Sequence, residues 1–152
     1  MSEQESRLGE LYQSIQYLDQ LITQLQTNLE TISREILIIK QSKDSINAIA
    51  KNTENILIPI DAKSYSLVKA EKVDNAKVLV RVSSKHYAPL PPSEAIIVLD
   101  EEEKRLLKAS DEVKRRISEL VSERNRLQSN LSGMLQQAQN TPAQSEPEKS
   151  QK

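Results

Sequence analysis

Leucine and isoleucine return at every third or fourth position through the first part of the chain, in a setting that is otherwise polar. The run covers residues 8–39 and reads LGELYQSIQYLDQLITQLQTNLETISREILII. A spacing that alternates in this way over several heptads is typical of a coiled coil, in which a narrow apolar stripe packs against a partner helix. We therefore predict one long helix over residues 7–51, whose stripe consists of Leu8, Leu11, Ile15, Leu18, Ile22, Leu25, Leu29, Ile32, Ile36 and Ile39.

A second and less regular stripe lies in the last part of the chain. One heptad position is held by Leu99, Leu106, Val113, Leu120, Leu127 and Met134, and the other includes Glu103, Ser110, Ile117, Arg124 and Leu131. Ser93 follows a proline-rich stretch and is a good N-cap, so the predicted helix covers residues 93–138. The simplest way to cover both stripes is for this helix to return beside the first one, as a long antiparallel coiled-coil hairpin.

Between the helices the apolar pattern changes to a period of two. Residues 55–60, 65–71, 77–82 and 86–90 are each short, rich in branched side chains and bounded by turn-forming residues. They predict two successive β-hairpins, inserted between the helices over residues 55–90. The expected fold class is therefore mainly α, with an α+β character that comes from the insert.

The predicted insert is too small to be stable by itself. Two isolated hairpins are marginal in water, and their open strand edges invite pairing with other strands. We expect the β part to complete a barrel between subunits, through the following interface residues: Ile56, Ile58, Ile60, Val78, Val80 and Val82. The alternative is that the hairpins fold back on the helix ends of the same chain. A single domain over residues 7–139 follows, with disordered polar segments at 1–6 and 140–152.

Composition and charge disfavour several functional classes. The chain has no cysteine and one histidine. Its sequence shows no glycine-rich phosphate loop, and no pair of carboxylates lies in a sequence context that supports catalysis. We therefore expect no enzyme, no cofactor and no metal. The net charge is −1, whereas nucleic-acid-binding proteins usually have a basic excess. The sequence shows no secretion signal and no long apolar run, which predicts a cytoplasmic protein without a membrane segment. The acidic run over residues 100–103 is interpreted as a solvated helix face.

The order of these elements resembles that of a known family. A long helix, two hairpins and a returning helix, with ILIPI opening the strands and KVLVRVSSKHYAPLPPSEAI leading into the second helix, is similar to the α-type subunit of prefoldin over residues 8–138. The resemblance implies a hexamer of two α-type and four β-type subunits, built on a double β-barrel. It also implies that unfolded client proteins are held at the coiled-coil tips and passed to a group II chaperonin without ATP. One departure is that the family commonly has glycines in its hairpin turns, where this chain has Asp61, Lys63, Ser64, Ser83 and Ser84.

Under this resemblance, clients contact the helix ends nearest the chain termini. The candidate client-binding residues are Leu8, Leu11, Tyr12, Leu131, Met134 and Leu135. Gly9 and Gly133 lie among them and weaken a helix, so we expect the last turns to fray and expose these side chains. Two alternatives are a structural coiled-coil scaffold that binds no client and a helical arm that binds RNA. The RNA alternative requires a basic stripe, but acidic residues alternate with the basic ones of the second helix.

Overall fold

Two long helices enclose two small β-hairpins in sequence. The computed structural model describes residues 3–51, 56–59, 61, 63–71 and 77–140. The elements in chain order are α1 (Glu3–Lys51), β1 (Ile56–Pro59), β2 (Leu67–Ala70), β3 (Val78–Ser83), β4 (His86–Leu90) and α2 (Pro92–Asn140). Strand β1 pairs antiparallel with β2, and β3 pairs antiparallel with β4. This is the helix, hairpin, hairpin and helix order that the sequence predicts. Ile60 and residues 72–76, which lie between the predicted second and third strands, are outside the described residues.

Both helices are longer than the sequence pattern predicts. Helix α1 begins at Glu3, so the prediction that residues 1–6 are disordered is wrong for residues 3–6. Their acidic side chains, Glu3 and Glu5, lie in the first turn and complement the positive end of the helix dipole. At its other end the chain is helical to Asn140, which was expected to begin the disordered tail. Residues 141–152 lie outside the described part of the chain.

Helix α2 starts one residue before the predicted N-cap. The N–H of Ala95 donates to the carbonyl of Pro91 at 2.9 Å, which is the first helical hydrogen bond. Pro92 thus occupies the first helical position, where proline fits because the N–H that it lacks would have no partner within the helix. Ser93 is consequently inside the helix, and the prediction that it caps the helix is wrong.

Contacts divide the chain into two compact units, each of which takes a part of both helices. The terminal unit comprises residues 1–28 and 113–152, and the hairpin unit comprises residues 29–112. Within the terminal unit, the buried side chains are those predicted for the stripe: Ile15, Ile22, Leu120 and Leu131. Apolar side chains at heptad spacing cover one another along the helix pair, so the coiled-coil prediction is confirmed for this unit.

The hairpin unit has a core in which the second hairpin packs on helices of its own chain. Val80 of β3 is buried against Ile46 of α1 and Ala95 of α2, and Ala95 has no exposed surface. The half-buried side chains around this cluster are Val78, Leu90, Ile96, Val98 and Leu99. For this hairpin the structure therefore shows the alternative arrangement, in which strands fold back on helices of the same chain.

The first hairpin has apolar side chains on both faces. Leu57 pairs with Lys69 and Ile58 pairs with Val68, and all four side chains are exposed. None of the described residues of this hairpin belongs to the core around Val80. The apolar surface of the first hairpin is consequently uncovered in the single chain.

A carboxylate organises the connection between β1 and β2. The Asp61 side chain accepts backbone N–H bonds from Lys63 at 2.9 Å, Tyr65 at 3.1 Å and Ser66 at 2.8 Å. These bonds, those from Tyr65 and Ser66 foremost, lower the pKa of Asp61 because they stabilise the charged form. Ser64 has a φ of 57°, the left-handed conformation that favours glycine. The turn therefore combines a hydrogen-bonded aspartate with a serine in the left-handed conformation.

A Ser64→Gly substitution should stabilise the first hairpin. A non-glycine residue in the left-handed region is destabilised by about 1 kcal/mol, and glycine removes most of this penalty. Hydrogen exchange of the β2 amides should slow severalfold. Ser66→Gly is the matched control: Ser66 does not have a positive φ, so there glycine only adds chain entropy and exchange should accelerate. Equal effects of the two substitutions would contradict the strain argument.

Candidate functional site

A groove lies between the two helix ends of the terminal unit. Its volume is about 580 Å³ and it is open to solvent. The lining residues come from the start of α1 and the end of α2 and are Arg7, Glu10, Leu11, Ser129, Asn130, Gly133, Met134 and Gln137. We call this feature the tip groove. It combines apolar side chains with amide, hydroxyl and charged groups, so it offers both apolar contact and hydrogen bonding.

The structure brings the six predicted client-contact residues to this end of the helix pair, with unequal exposure. Tyr12 is 52% exposed and Leu135 is 39% exposed. Leu8, Leu11 and Met134 are half-buried, and the last two line the tip groove. Leu131, by contrast, is only 3% exposed, so it does not offer a surface to another protein while the helices are paired. This residue completes the coiled-coil stripe, so its predicted contact with clients depends on fraying of the last helical turns.

The two glycines of the chain are in the helical part of the terminal unit, and no close packing requires them there. A Cβ atom at Gly9 or at Gly133 would have no other atom within 4 Å. Glycine destabilises a helix interior by about 1 kcal/mol relative to alanine, because it loses more backbone entropy on folding. Both residues therefore weaken the helices at this end without a steric reason that the structure shows.

Charged side chains of the terminal unit are largely paired with one another. Along α2, Arg115 and Arg116 contact Glu119, and Arg126 contacts Glu123 at 2.6 Å. These acidic partners reduce the positive charge that an RNA-binding stripe would need. Between the helices, the Arg124 Nε lies 3.6 Å from the Asp19 Oδ1, which is too long for a hydrogen bond. That Nε is buried and has no hydrogen-bond partner.

The hairpin unit presents a different kind of surface. Leu79 and Tyr87 are exposed on the outer face of the second hairpin, opposite the face that packs on the helices. Val82 is 56% exposed, since the register shifts between Arg81 and Ser83 and interrupts the alternation. On the first hairpin, Leu57, Ile58, Leu67 and Val68 are exposed. These residues form what we call the hairpin surface: Leu57, Ile58, Leu67, Val68, Leu79, Val82 and Tyr87.

The predicted interface residues only partly coincide with the hairpin surface. Ile58 and Val82 belong to it, and Ile56 and Val78 are half-buried. Val80 is 4% exposed and packs on its own chain, so in the single chain it offers no surface to a neighbouring subunit. The other members of the hairpin surface are not among the interface residues predicted from the sequence: Leu57, Leu67, Val68, Leu79 and Tyr87. The signal was available, because apolar residues occupy both alternating faces of these strands and only one face was chosen.

An ion cluster joins the two helices of the hairpin unit. The Lys43 ammonium bonds to the carboxylates of Asp100 and Glu103, and Lys40 lies 3.8 Å from Glu103. The hydrogen bonds that Lys43 donates, to Asp100 first and then to Glu103, raise the pKa of Lys43 because they stabilise its charged form. The interpretation of the acidic run as a solvated face is therefore wrong for these residues. They pair across the helices, because Lys43 lies seven residues after Ile36, in the heptad position that continues the stripe toward α2.

A metal-binding cluster and a membrane-spanning helix are both absent from the described residues. Among them, no group of three or more acidic or histidine side chains is placed to hold a metal ion. No helix in the described ranges has the length and hydropathy needed to cross a lipid bilayer. His86 bonds through its Nδ1 to the Ser83 hydroxyl at 2.8 Å, within the turn that joins β3 and β4.

Comparisons with known proteins agree with this architecture. The family model for prefoldin subunits matches residues 18–137. The prefoldin subunit alpha of Metallosphaera sedula is 28% identical over 101 residues, which cover 66% of this chain and 70% of that protein. The prefoldin subunit alpha of Saccharolobus solfataricus is 27% identical over 120 residues, which cover 79% of this chain and 82% of that protein.

A solved structure shows the same fold. A chain of the filamentous PFD from Methanocaldococcus jannaschii, determined by cryo-electron microscopy, superposes with a TM-score of 0.67 at 21% identity. The match covers 78% of this chain and 98% of that one. Together with the family model, which matches most of the chain, this shows that the chain belongs to the prefoldin family, as a subunit of the α type.

Proposed function

We propose that this chain is a subunit of an ATP-independent molecular chaperone, which binds non-native proteins, prevents their aggregation and delivers them to a group II chaperonin. Membership of the prefoldin family, a family of non-enzymatic chaperones, supports a chaperone-type subunit. The observation that carries the client-binding part is the exposure of Tyr12 and Leu135 beside the tip groove. Each directly follows a residue that lines the groove, Leu11 or Met134, and exposed apolar side chains next to an open groove suit a protein-binding site.

The proposed contact is apolar and adaptable. Leu11 and Met134 line the tip groove, and methionine adjusts its shape readily because its side chain is unbranched and polarisable. A chaperone that accepts many clients needs contacts that do not depend on one shape. The polar groups that share the groove, those of Ser129 and Asn130 among them, can bond to the backbone of an unfolded segment.

The partners that we propose are β-type prefoldin subunits, in a cytoplasmic hexamer of two α-type and four β-type chains. The hairpin surface supports this proposal, because strands with apolar faces and open edges are stabilised by pairing with other strands. A barrel completed between subunits would cover the first hairpin, both faces of which are exposed in the single chain. In the single chain, the buried Val80 offers no surface to this contact.

Co-expression with a β-type subunit tests the assembly. Native mass spectrometry should show a hexamer with two copies of this chain. An open series of larger species, or a monomer alone, would contradict the proposed stoichiometry.

Light scattering of a denatured protein, mixed with the purified assembly, tests the function. Suppressed aggregation without ATP is the expected result, and no suppression would favour a scaffold that binds no client.

Replacing Gly9 and Gly133 with alanine should stiffen the end of the helix pair and reduce client holding. Each substitution should stabilise its helix by about 1 kcal/mol, and the open space around both residues accommodates the added methyl groups. Hydrogen exchange of the terminal turns should slow, and suppression of aggregation should weaken because Leu8, Leu11 and Leu131 stay covered. Ala48→Gly, at an exposed helix position of the hairpin unit, is the control and should leave suppression unchanged. Slower exchange with unaltered suppression would contradict fraying as the mechanism.

A further inference from the structure

Sulfur is scarce in this chain. The sequence contains two methionines and no cysteine. Met134 is the one sulfur-containing side chain within the residues that the structure describes, and it lines the tip groove. Thiolates are usually the first protein groups to react with peroxides. In a chain without cysteine, the thioether groups of methionine are the sulfur groups that a peroxide can oxidise.

The surroundings of Met134 give an oxidant access to its sulfur. The side chain is half-buried, and the groove beside it is open to solvent. Gly133, the preceding residue, adds no side chain, and a Cβ atom there would meet nothing within 4 Å. A small peroxide can therefore reach this position without any opening of the helix pair.

The groove also supplies partners for the oxidised form. Asn130 lies one helical turn before Met134, in the direction toward which helical side chains lean, and it lines the same groove. Its amide N–H can donate to a sulfoxide oxygen, which is a strong acceptor. Oxidation would therefore make the groove more polar while leaving the helix pair in place.

We propose that Met134 is a redox-sensitive modification site, whose oxidation to the sulfoxide by hydrogen peroxide weakens client holding at the tip groove. The sulfur attacks one peroxide oxygen, so that an S–O bond forms and the O–O bond breaks; the leaving hydroxide takes the proton from the oxygen now bound to sulfur and departs as water. Sulfur loses two electrons and the peroxide gains them, and a methionine sulfoxide reductase would reverse the change. The effect on client holding rests on the proposed function. Its physical cause is the replacement of an apolar contact by a polar group.

The test uses the full-length chain, assembled with a β-type subunit and treated with hydrogen peroxide. Peptide mass mapping should find one added oxygen on Met134, and the helical circular dichroism should not change. The amount of assembly needed to halve client aggregation should rise about two- to tenfold, the range expected for loss of one methionine contact. Met134→Gln, which approximates the polarity of the sulfoxide, should show the same weakening without treatment.

Met134→Leu is the matched control, because it keeps the apolar volume and removes the sulfur. Treatment should leave suppression by this assembly at its own untreated level, even though Met1 and any methionines of the β-type subunit are still present. The proposal is overturned if treatment weakens that assembly as much, if Met134 stays unmodified, or if modified Met134 leaves suppression unchanged. Failure of the untreated assembly to suppress aggregation would instead overturn the proposed function, and this inference with it.

Discussion

A Val80→Asp chain is expected to lose the docking of its second hairpin. Val80 is 4% exposed and packs between Ile46 and Ala95, so an aspartate there would place a charge among apolar side chains without a partner. The free energy of unfolding should fall by on the order of 4 kcal/mol, at the upper end of what single substitutions produce. Urea unfolding measures this loss, and hydrogen exchange locates it, since the amides of β3 and β4 should lose protection first.

Val82→Asp is the matched control for this experiment. It makes the same chemical change two residues further along β3, where the side chain is 56% exposed. The stability of the single chain should change by no more than about 0.5 kcal/mol, as is usual for surface positions. Assembly with the β-type subunit should suffer instead, because Val82 belongs to the hairpin surface. If both variants destabilise the single chain equally, the separation between an inner and an outer face of this hairpin is wrong.

The double variant Tyr12→Ser, Leu135→Ser is expected to lose most of its ability to hold clients while it keeps its fold. Both side chains are exposed at the end of the helix pair, so their removal leaves the buried stripe intact. Each should contribute about 1 kcal/mol through apolar area covered by a client, so that roughly tenfold or more assembly is needed for equal suppression. Light scattering of a denatured protein, titrated with the assembly, measures the difference.

A second double variant, Tyr17→Ser, Leu107→Ser, controls for the loss of exposed apolar surface in general. It removes the same two side-chain types, which are 61% and 44% exposed, and neither lines the tip groove. Suppression should remain within about twofold of the unmodified assembly, as for surface changes outside a binding site. Equal losses in the two variants would show that clients bind to exposed apolar residues wherever these occur, and not at the helix ends.

The helices could be predicted closely because their pattern is redundant. Each heptad places apolar residues at the same two positions, and the burial of Ile15 and Ile22 follows directly from their place in the stripe. The ends of the helices are harder to predict from the sequence, because they depend on single residues. Pro92 fits the first helical position, and Glu3 and Glu5 support an early first turn, but neither feature belongs to the apolar period.

The site is harder to predict than the fold. An alternating pattern distinguishes the two faces of a strand, but it does not show which face is buried. In β3, Val80 faces inward and Leu79 faces outward, although both are apolar. The choice depends on Ala95, whose small side chain lets the strand approach α2, and no strand pattern contains this information. Likewise, the sequence marks Lys43 as a charge in the stripe, but its pairing with Asp100 and Glu103 depends on the register between the helices.

The exposed first hairpin has a consequence for the amount of this subunit that a cell can make relative to its partners. A copy made in excess of its partners would carry uncovered apolar strands with open edges, which invite association with any other such edge. An orphan subunit of this kind resembles the clients that the assembly is proposed to hold. Balanced synthesis of the two subunit types, or rapid proteolysis of the surplus, would therefore be needed to prevent surplus chains from occupying the client-binding sites of the assembly.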